Sequence, residues 1–254
     1  MTELWFEAAG DGPPLVLVHA GICDARMWDD LVGPLAREHR VVRYDMRGYG
    51  RSGAVTSAYS PSGDLVSVLD ALGIERAAVC GVSFGGAVAL EAAAAHPERV
   101  AALVAVCCAV DWSNVPDDLV ARIEEADAAG EAGDLDRAVE LELRIWVDGE
   151  GRAEPVDADV RERVRVMNRR ALELAAQSAA DAMWLDPPVA ERLGEIACPT
   201  LVVAGEHDVA FMIESCRRIA AAVPGARLAV MDGVAHLPPL ERPAEFLALL
   251  REAV

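Results

Sequence analysis

Residues 77–95 read Ala-Ala-Val-Cys-Gly-Val-Ser-Phe-Gly-Gly-Ala-Val-Ala-Leu-Glu-Ala-Ala-Ala-Ala. A short apolar β-rich run, Ala77 to Val82, meets a Gly-x-Ser-x-Gly turn, Gly81 to Gly85, and then an alanine-rich stretch made of helix formers. Strand, turn and helix in that order place Ser83 on a tight turn above the carboxyl edge of a sheet. Gly81 and Gly85 let neighbouring backbone pass where a Cβ would clash. Outward from this unit the same alternation continues. Short β-rich runs stand at Leu15 to His19, Val41 to Asp45, Val100 to Val106, Thr200 to Ala204 and Arg227 to Met231, with helical stretches between them and an amphipathic ending at Pro243 to Ala253. These runs are continuously apolar rather than alternating, as strands of a parallel sheet covered on both faces must be.

The pattern is interrupted from Asp111 to Ile196. That segment holds no β-rich run, carries 10 arginines against 22 acids, and reads as helices broken at Gly130, Gly133, Gly149, Gly151 and Pro187-Pro188. Its longest helix is expected over Asp157 to Met183, with Val160, Val164, Met167, Ala171 and Leu174 on one face. The chain therefore divides into an α/β core, residues 1–110 and 197–254, and a helical insertion, residues 111–196.

Composition removes several function classes. With 53% apolar and 26% charged residues over 254 positions, the chain has enough apolar content for a full core, and a disordered or fibrous state is excluded. The 23 basic and 42 acidic residues give a net charge of −19, which repels nucleic acid and anionic membrane surfaces. Every basic residue is arginine, so Schiff-base and phosphate-loop chemistry that needs a lysine has no residue to use. Cys23, Cys80, Cys107, Cys108, Cys198 and Cys216 form no CxxC pair and mostly sit in apolar runs, as reduced buried cysteines do. The opening residues carry no basic-then-apolar leader pattern, and the longest apolar run, Val100 to Val110, is too short for a membrane span. A soluble, unprocessed cytoplasmic protein is expected.

A serine hydroxyl is a weak nucleophile at neutral pH and needs a base, which in turn needs an acid to fix its tautomer. Of five histidines, His39 and His96 stand at helix ends and read as structural. His207 reads as a turn residue in Glu206-His207-Asp208, which lacks metal-ligand spacing. His236 follows the last β-rich run in a Gly-containing loop, and Leu237-Pro238-Pro239 after it is read as starting no helix. This puts His236 at the sheet edge where Ser83 also lies. For the acid, Asp208 closes the run TLVVAGEHD, and Asp111, closing VAVCCAVD on the preceding strand, competes with it. Asp208 is favoured.

In order, VLVHAG, YDMRGYGRS, GVSFGG, LVVAGEHD and GVAHLPPLERP resemble the landmark segments of the α/β-hydrolase family, across nearly the whole chain outside the insertion. HAGICDARMWD is similar to 3-oxoadipate enol-lactonases and related esterases and perhydrolases. The resemblance implies an α/β fold with a mostly parallel sheet of about eight strands, helices on both faces and a helical cap inserted after strand six. It implies a structural turn at Asp45 to Ser52, so Asp45, Arg47 and Arg51 belong to the scaffold, and a buried structural role for His19. It also implies an oxyanion hole made by the backbone N–H groups of Phe84 and Gly21. The family usually has His-Gly where this chain has His19-Ala20-Gly21, so Ala20 competes with Gly21 for that place.

Trp112, Trp146 and Trp184, in or beside the insertion, either line an apolar substrate pocket or fill the cap's own core. Arg161, Arg165 and Arg169 recur every four residues, and either bind a substrate carboxylate or pair with nearby acids on a solvated face. The acidic insertion favours the second and hence a neutral substrate. The expected function is hydrolysis of a small neutral ester or lactone, needing no metal or organic cofactor. A perhydrolase or carbon–carbon bond hydrolase would use the same three residues, and a ligand receptor would keep them as a pocket. An epoxide or haloalkane hydrolase would need an aspartate in place of Ser83.

Overall fold

The computed structural model describes residues 4–254. Seven strands lie in one sheet: β1 (Phe6–Ala9), β2 (Pro14–Val18), β3 (Arg40–Tyr44), β4 (Ala77–Val82), β5 (Val100–Val106), β6 (Thr200–Gly205) and β7 (Arg227–Met231). Their spatial order is β1-β3-β2-β4-β5-β6-β7, with β1 antiparallel to β3 and every other pairing parallel. The helices are α1 (Asp29–Leu35), α2 (Pro61–Ala71), α3 (Phe84–Ala95), α4 (Asp117–Glu131), α5 (Leu135–Trp146), α6 (Ala158–Ala175), α7 (Val189–Arg192), α8 (Ala210–Ala222), α9 (Pro238–Glu241) and α10 (Pro243–Ala253).

Alternate residues of each central strand feed different cores, which is why the runs read as continuously apolar. Leu15, Leu17, Cys80, Val82, Val104 and Val106 pack with Leu31, Phe246 and Leu250 on one face. Val16, Val18, Val79, Leu103 and Ala105 pack with Leu65, Leu90 and Ile219 on the other. Each fully buried Val or Leu contributes roughly 1.5–3 kcal/mol of burial free energy, so the central strands and the helices over them form the rigid part of the molecule. β7 is an edge strand, and Leu228 and Val230 stay exposed on it.

Three expectations change. The described sheet has seven strands instead of about eight, because a single edge strand, β1, precedes β2. The helical segment accordingly follows the fifth strand and not the sixth. The long helix α6 stops at Ala175 rather than Met183. Beyond it the Ser178 hydroxyl donates back to Leu174 O and accepts the N–H of Val55, while Ala179 N and Met183 N donate to Val55 O and Tyr59 O. Residues 178–183 thus trade helical bonds for bonds to the loop before α2, a competition that no local propensity reveals. The apolar face read for this helix does bury Val160, Val164, Met167, Ala171 and Leu174.

The strand order reverses between β2 and β4: the chain leaves β2 for β3 on one side and returns to β4 on the other. In open α/β sheets the crevice at such a reversal, outside the carboxyl ends of the strands, is where ligands bind. The loops leaving β2 and β4 carry His19-Ala20-Gly21 and Ser83.

Candidate active site

Ser83 has φ 55° and ψ −118°, a strained conformation for a residue with a side chain, fixed by its surroundings. Its N–H donates to Val106 O on β5 at 2.8 Å, and its carbonyl accepts the N–H of Ala87 in α3 at 3.1 Å. The glycines around it are sterically required. A Cβ on Gly81 would lie 2.0 Å from Gly85 O, and one on Gly85 would lie 2.4 Å from Val18 O. Phe84 begins α3, so its amide is among the first-turn N–H groups that have no partner inside the helix.

The loop after β2 is organised by His19. Its Nδ1–H donates to Ala20 O at 2.8 Å, which leaves Nε2 to accept the N–H of Met46 at 3.0 Å. Burial lowers its pKa, so the ring is neutral and ties the loop after β3 to the loop after β2. The Ala20 N–H donates to Met27 Sδ at 3.3 Å and is turned into the core. Gly21 lies against Phe84 instead, where a Cβ would meet Phe84 Cβ at 3.4 Å. Of the two amides the sequence left open, Ala20's is committed and Gly21's is the one beside Phe84. Asp45 and Arg47 are scaffold contacts: Asp45 accepts the N–H groups of Ala25 and Arg51, and Arg47 pairs with Asp64 at 2.6 Å. Arg51 stacks on Trp5.

Asp208 and His236 meet at the ends of β6 and β7. His236 Nδ1–H donates to Asp208 Oδ2 at 2.8 Å, with both residues buried, and Asp208 Oδ1 accepts the N–H of Val209 at 2.8 Å. The ring is thereby held in the tautomer whose Nε2 is an acceptor. Gly205 permits this meeting, since a Cβ there would stand 1.9 Å from Ala235 O. Leu237-Pro238-Pro239 does lead into a helix, the single turn α9, because proline is accommodated in a first turn where no N–H is needed. That turn carries Glu241, whose carboxylate accepts the N–H groups of Ala235 (3.0 Å) and Leu237 (3.2 Å), one on each side of His236. Glu241 also receives Arg152 of the insertion at 2.5 Å. Glu241 lies within the landmark segment GVAHLPPLERP, but its role is not readable there; only folding the turn back brings it under the histidine loop.

Asp111 is exposed and accepts the N–H of Ser113 at 2.9 Å, so the structure brings Asp208 and not Asp111 to His236. His207 accepts and donates across to the insertion: its Nδ1–H donates to Glu150 O at 2.9 Å, and Glu150 N donates to His207 O at 2.7 Å. His96 caps the end of α3, while α1 ends at Leu35 and leaves His39 in the turn before β3. Cys107, with φ 45°, places its thiol within 4.8 Å of ligand atoms of Asp208 and His236. Burial, and next the Asp208 charge, raise its pKa well above the ordinary value, so it stays a thiol and a poor metal ligand, and His236 Nδ1 is already bound to Asp208.

Two cavities flank this edge. One of about 460 Å3 is lined by Ser83, Phe84, Trp112, Trp184, Met212 and, at one wall, Glu91. Trp184 meets the Phe84 ring edge-on at 5.3 Å, and Trp112 packs on Phe211 at 5.2 Å. Trp146 stands apart from them, its ring 4.9 Å from that of His236. Glu91, read in the sequence only as part of an alanine-rich helix, is buried. It accepts the Ser62 hydroxyl at 2.6 Å and the N–H of Leu185 at 3.1 Å, holding the segment that bears Trp184. The second cavity, about 600 Å3, is lined by Gly21 on the core side and by α5 and α6 on the other.

Arg161, Arg165 and Arg169 are not brought to either cavity. Arg161 pairs with Glu140 and Asp148, Arg165 with Glu140 and Glu162, and Arg169 with Asp136 and Glu173. The Arg161 and Arg165 guanidinium groups hold the Glu140 carboxyl down to about 2. Among the described residues no helix is long and apolar enough to cross a membrane.

The model of the alpha/beta hydrolase family matches residues 15–249. A pimeloyl-[acyl-carrier protein] methyl ester esterase of Aeromonas hydrophila is 27% identical, with 98% of each chain covered. 3-Oxoadipate enol-lactonase 1 of Acinetobacter baylyi is 29% identical over 94% of this chain and 87% of its own. Among solved structures, the enol-lactonase from Burkholderia xenovorans superimposes with a TM-score of 0.77 at 26% identity, covering 98% of this chain and 95% of that one.

Proposed function

The chain belongs to the alpha/beta hydrolase family, and from that premise we propose that it hydrolyses a small, neutral carboxylic ester or lactone through an acyl-enzyme on Ser83. The observation that carries the reading is the buried 2.8 Å bond from His236 Nδ1–H to Asp208, which leaves Nε2 as a base on the sheet edge where Ser83 stands. Ser83 Oγ attacks the carbonyl carbon and His236 Nε2 takes its proton. The carbonyl oxygen, now an anion, faces the amides of Gly21 and Phe84, each such donor contributing about 3 kcal/mol to the transition state. On collapse the C–O bond to the leaving alcohol breaks and His236 returns the proton to it. Water, deprotonated by His236, then attacks the acyl-enzyme and releases the acid and Ser83.

The cavity beside Ser83, walled by Phe84, Trp112, Trp184 and Met212, suits an apolar group. The engagement of Arg161, Arg165 and Arg169 by acids leaves this helix face no open carboxylate site, in keeping with a neutral substrate. We read residues 111–196 as a cap over this edge, joined to the core through Arg152–Glu241 and His207–Glu150. The names of the esterase and lactonase relatives point the same way. The test is hydrolysis of p-nitrophenyl esters of increasing acyl length by the native protein and four variants. Ser83→Ala and His236→Ala are expected to lose about 10⁴-fold or more in kcat/KM and Asp208→Asn about 10³–10⁴-fold, with Asp111→Asn near native. An Asp111→Asn loss as deep as that of Asp208→Asn, or a native protein that releases only one product per chain, would overturn it.

A further inference from the structure

The sequence sets out Trp112, Trp146 and Trp184 as one group, and the fold divides them. Trp112 and Trp184 line the 460 Å3 cavity beside Ser83, while Trp146 lines neither that cavity nor the one of 600 Å3. Trp146 is the last residue of α5 and lies against His236, the two ring centroids 4.9 Å apart with 39° between the planes. The residues that follow it are fastened to the histidine loop and its neighbours. Glu150 N donates to His207 O at 2.7 Å and Glu150 O accepts from His207 Nδ1–H at 2.9 Å. Arg152 pairs with Glu241 at 2.5 Å and donates to Gly233 O at 3.1 Å. Gly149 passes so close that a Cβ there would stand 2.9 Å from Ala235 Cβ and 3.1 Å from His207 O. Trp146 is thus held beside His236 by contacts that involve neither ring.

We propose that Trp146 is a positioning residue that stabilises the protonated form of His236, so that the helical insertion supplies part of the electrostatics of the reaction. The inference rests on the reading of Ser83 as nucleophile and His236 as its base. In that reading the imidazole is neutral before attack and positively charged in each transition state, with Asp208 compensating on the Nδ1 side. The face of an indole carries negative potential, and a cation within about 6 Å of the ring centroid is attracted to it. A neutral imidazole gains far less. The contact therefore acts chiefly in the transition state and raises kcat rather than affinity. Burial strengthens it, because His236 is 2% exposed and little water competes for the charge. No second anion stands ready for this task in the cluster around the ring: Asp208 is engaged at Nδ1, and burial keeps Cys107 a neutral thiol. An aliphatic side chain at 146 would fill the same space and offer the imidazolium nothing.

The experiment replaces tryptophan throughout the chain with its mono-, di- and trifluoro analogues, since each fluorine weakens the potential over the indole face while hardly changing its shape. The readouts are kcat and KM for p-nitrophenyl butyrate and the rate at which a fluorophosphonate probe labels Ser83, the second needing no ester substrate. With Trp146 in place, kcat and the labelling rate are expected to fall stepwise with fluorine number, by about tenfold across the series, while KM stays near native. A tryptophan that only packs would give no such slope. In Trp146→Phe the fluorine is carried by Trp5, Trp28, Trp112 and Trp184 alone, and the same series is expected to be flat. Trp146→Leu is expected to lose about tenfold to thirtyfold in kcat, and Trp146→Phe to keep part of it. A flat series in the native protein, equal slopes in the native protein and Trp146→Phe, or native kcat in Trp146→Leu would overturn the proposal. Failure of the nucleophile reading looks different: Ser83→Ala would keep native rates or the probe would leave Ser83 unlabelled, and the inference would fall with it. Failure of the tryptophan contact alone leaves Ser83→Ala inactive beside a flat series.

Discussion

Glu241 offers the sharpest test of how the histidine loop is held. Its carboxylate is buried and receives two backbone amides, Ala235 at 3.0 Å and Leu237 at 3.2 Å, and the Arg152 guanidinium at 2.5 Å. Hydrogen bonds to a charged group contribute about 1.5–3 kcal/mol each, and removing one partner of a buried pair costs about 3–5 kcal/mol because the other is left unpaired. Arg152 retains some exposure, its side chain 14% accessible, which moderates the penalty on its side. Glu241→Ala is therefore expected to lower unfolding free energy by about 3–4 kcal/mol and Glu241→Gln by about 2, since the glutamine oxygen still accepts one loop amide. Arg152→Met leaves the carboxylate with both amides and is expected to cost about 1–2 kcal/mol. In the double-mutant cycle the Arg152–Glu241 coupling should come to about 1–3 kcal/mol. Because the slack falls on either side of His236, kcat should drop about tenfold to a hundredfold in Glu241→Ala while KM moves little. Urea unfolding and p-nitrophenyl ester kinetics read both quantities. A Glu241→Ala protein within 1 kcal/mol of native stability and threefold of native kcat would refute the reasoning.

Gly205→Ala, whose Cβ would stand 1.9 Å from Ala235 O, is expected to part β6 from the histidine loop, with a loss of about 3 kcal/mol or more in urea and of nearly all activity; a native-like variant would show that the approach is not tight. Glu91→Ala strands the Leu185 N–H and leaves the Ser62 hydroxyl only its contact with the Ser60 hydroxyl, for about 2–3 kcal/mol and a higher KM for apolar esters as Trp184 loosens, whereas Glu91→Gln keeps an acceptor and costs about 1 kcal/mol; equal costs would contradict this. The His19 pKa is lower in the fold than in the unfolded chain, where it is about 6.5, so below that pH the unfolded state binds the extra proton. Stability should then fall by up to about 1.4 kcal/mol per pH unit as the solution is acidified through this range, and His19→Gln should lack that component of the slope, as urea midpoints between neutral and mildly acid pH will show.

Much of this was legible in the sequence because it is local. The Gly81 to Gly85 turn, the continuously apolar runs that a doubly covered sheet demands, and the glycine and proline breaks that set off residues 111–196 are all read from near neighbours along the chain. The order Ser83, Asp208, His236 is legible for the same reason, since each residue closes a β-rich run and so stands at one sheet edge. What sequence left open was decided by contacts between distant segments. Asp208 meets His236 and Asp111 does not, because Gly205 lets β6 approach the loop of Ala235, while Asp111 turns outward to cap Ser113. Ala20 and Gly21 are separated by where Met27 lies. Helix α6 ends at Ala175 because Val55 and Tyr59 supply hydrogen-bond partners that a helical periodicity ignores. Glu91 and Glu241 received no role from the sequence for one physical reason: each reads there as an ordinary helix or turn residue, and its meaning comes from the donors that folding places around it.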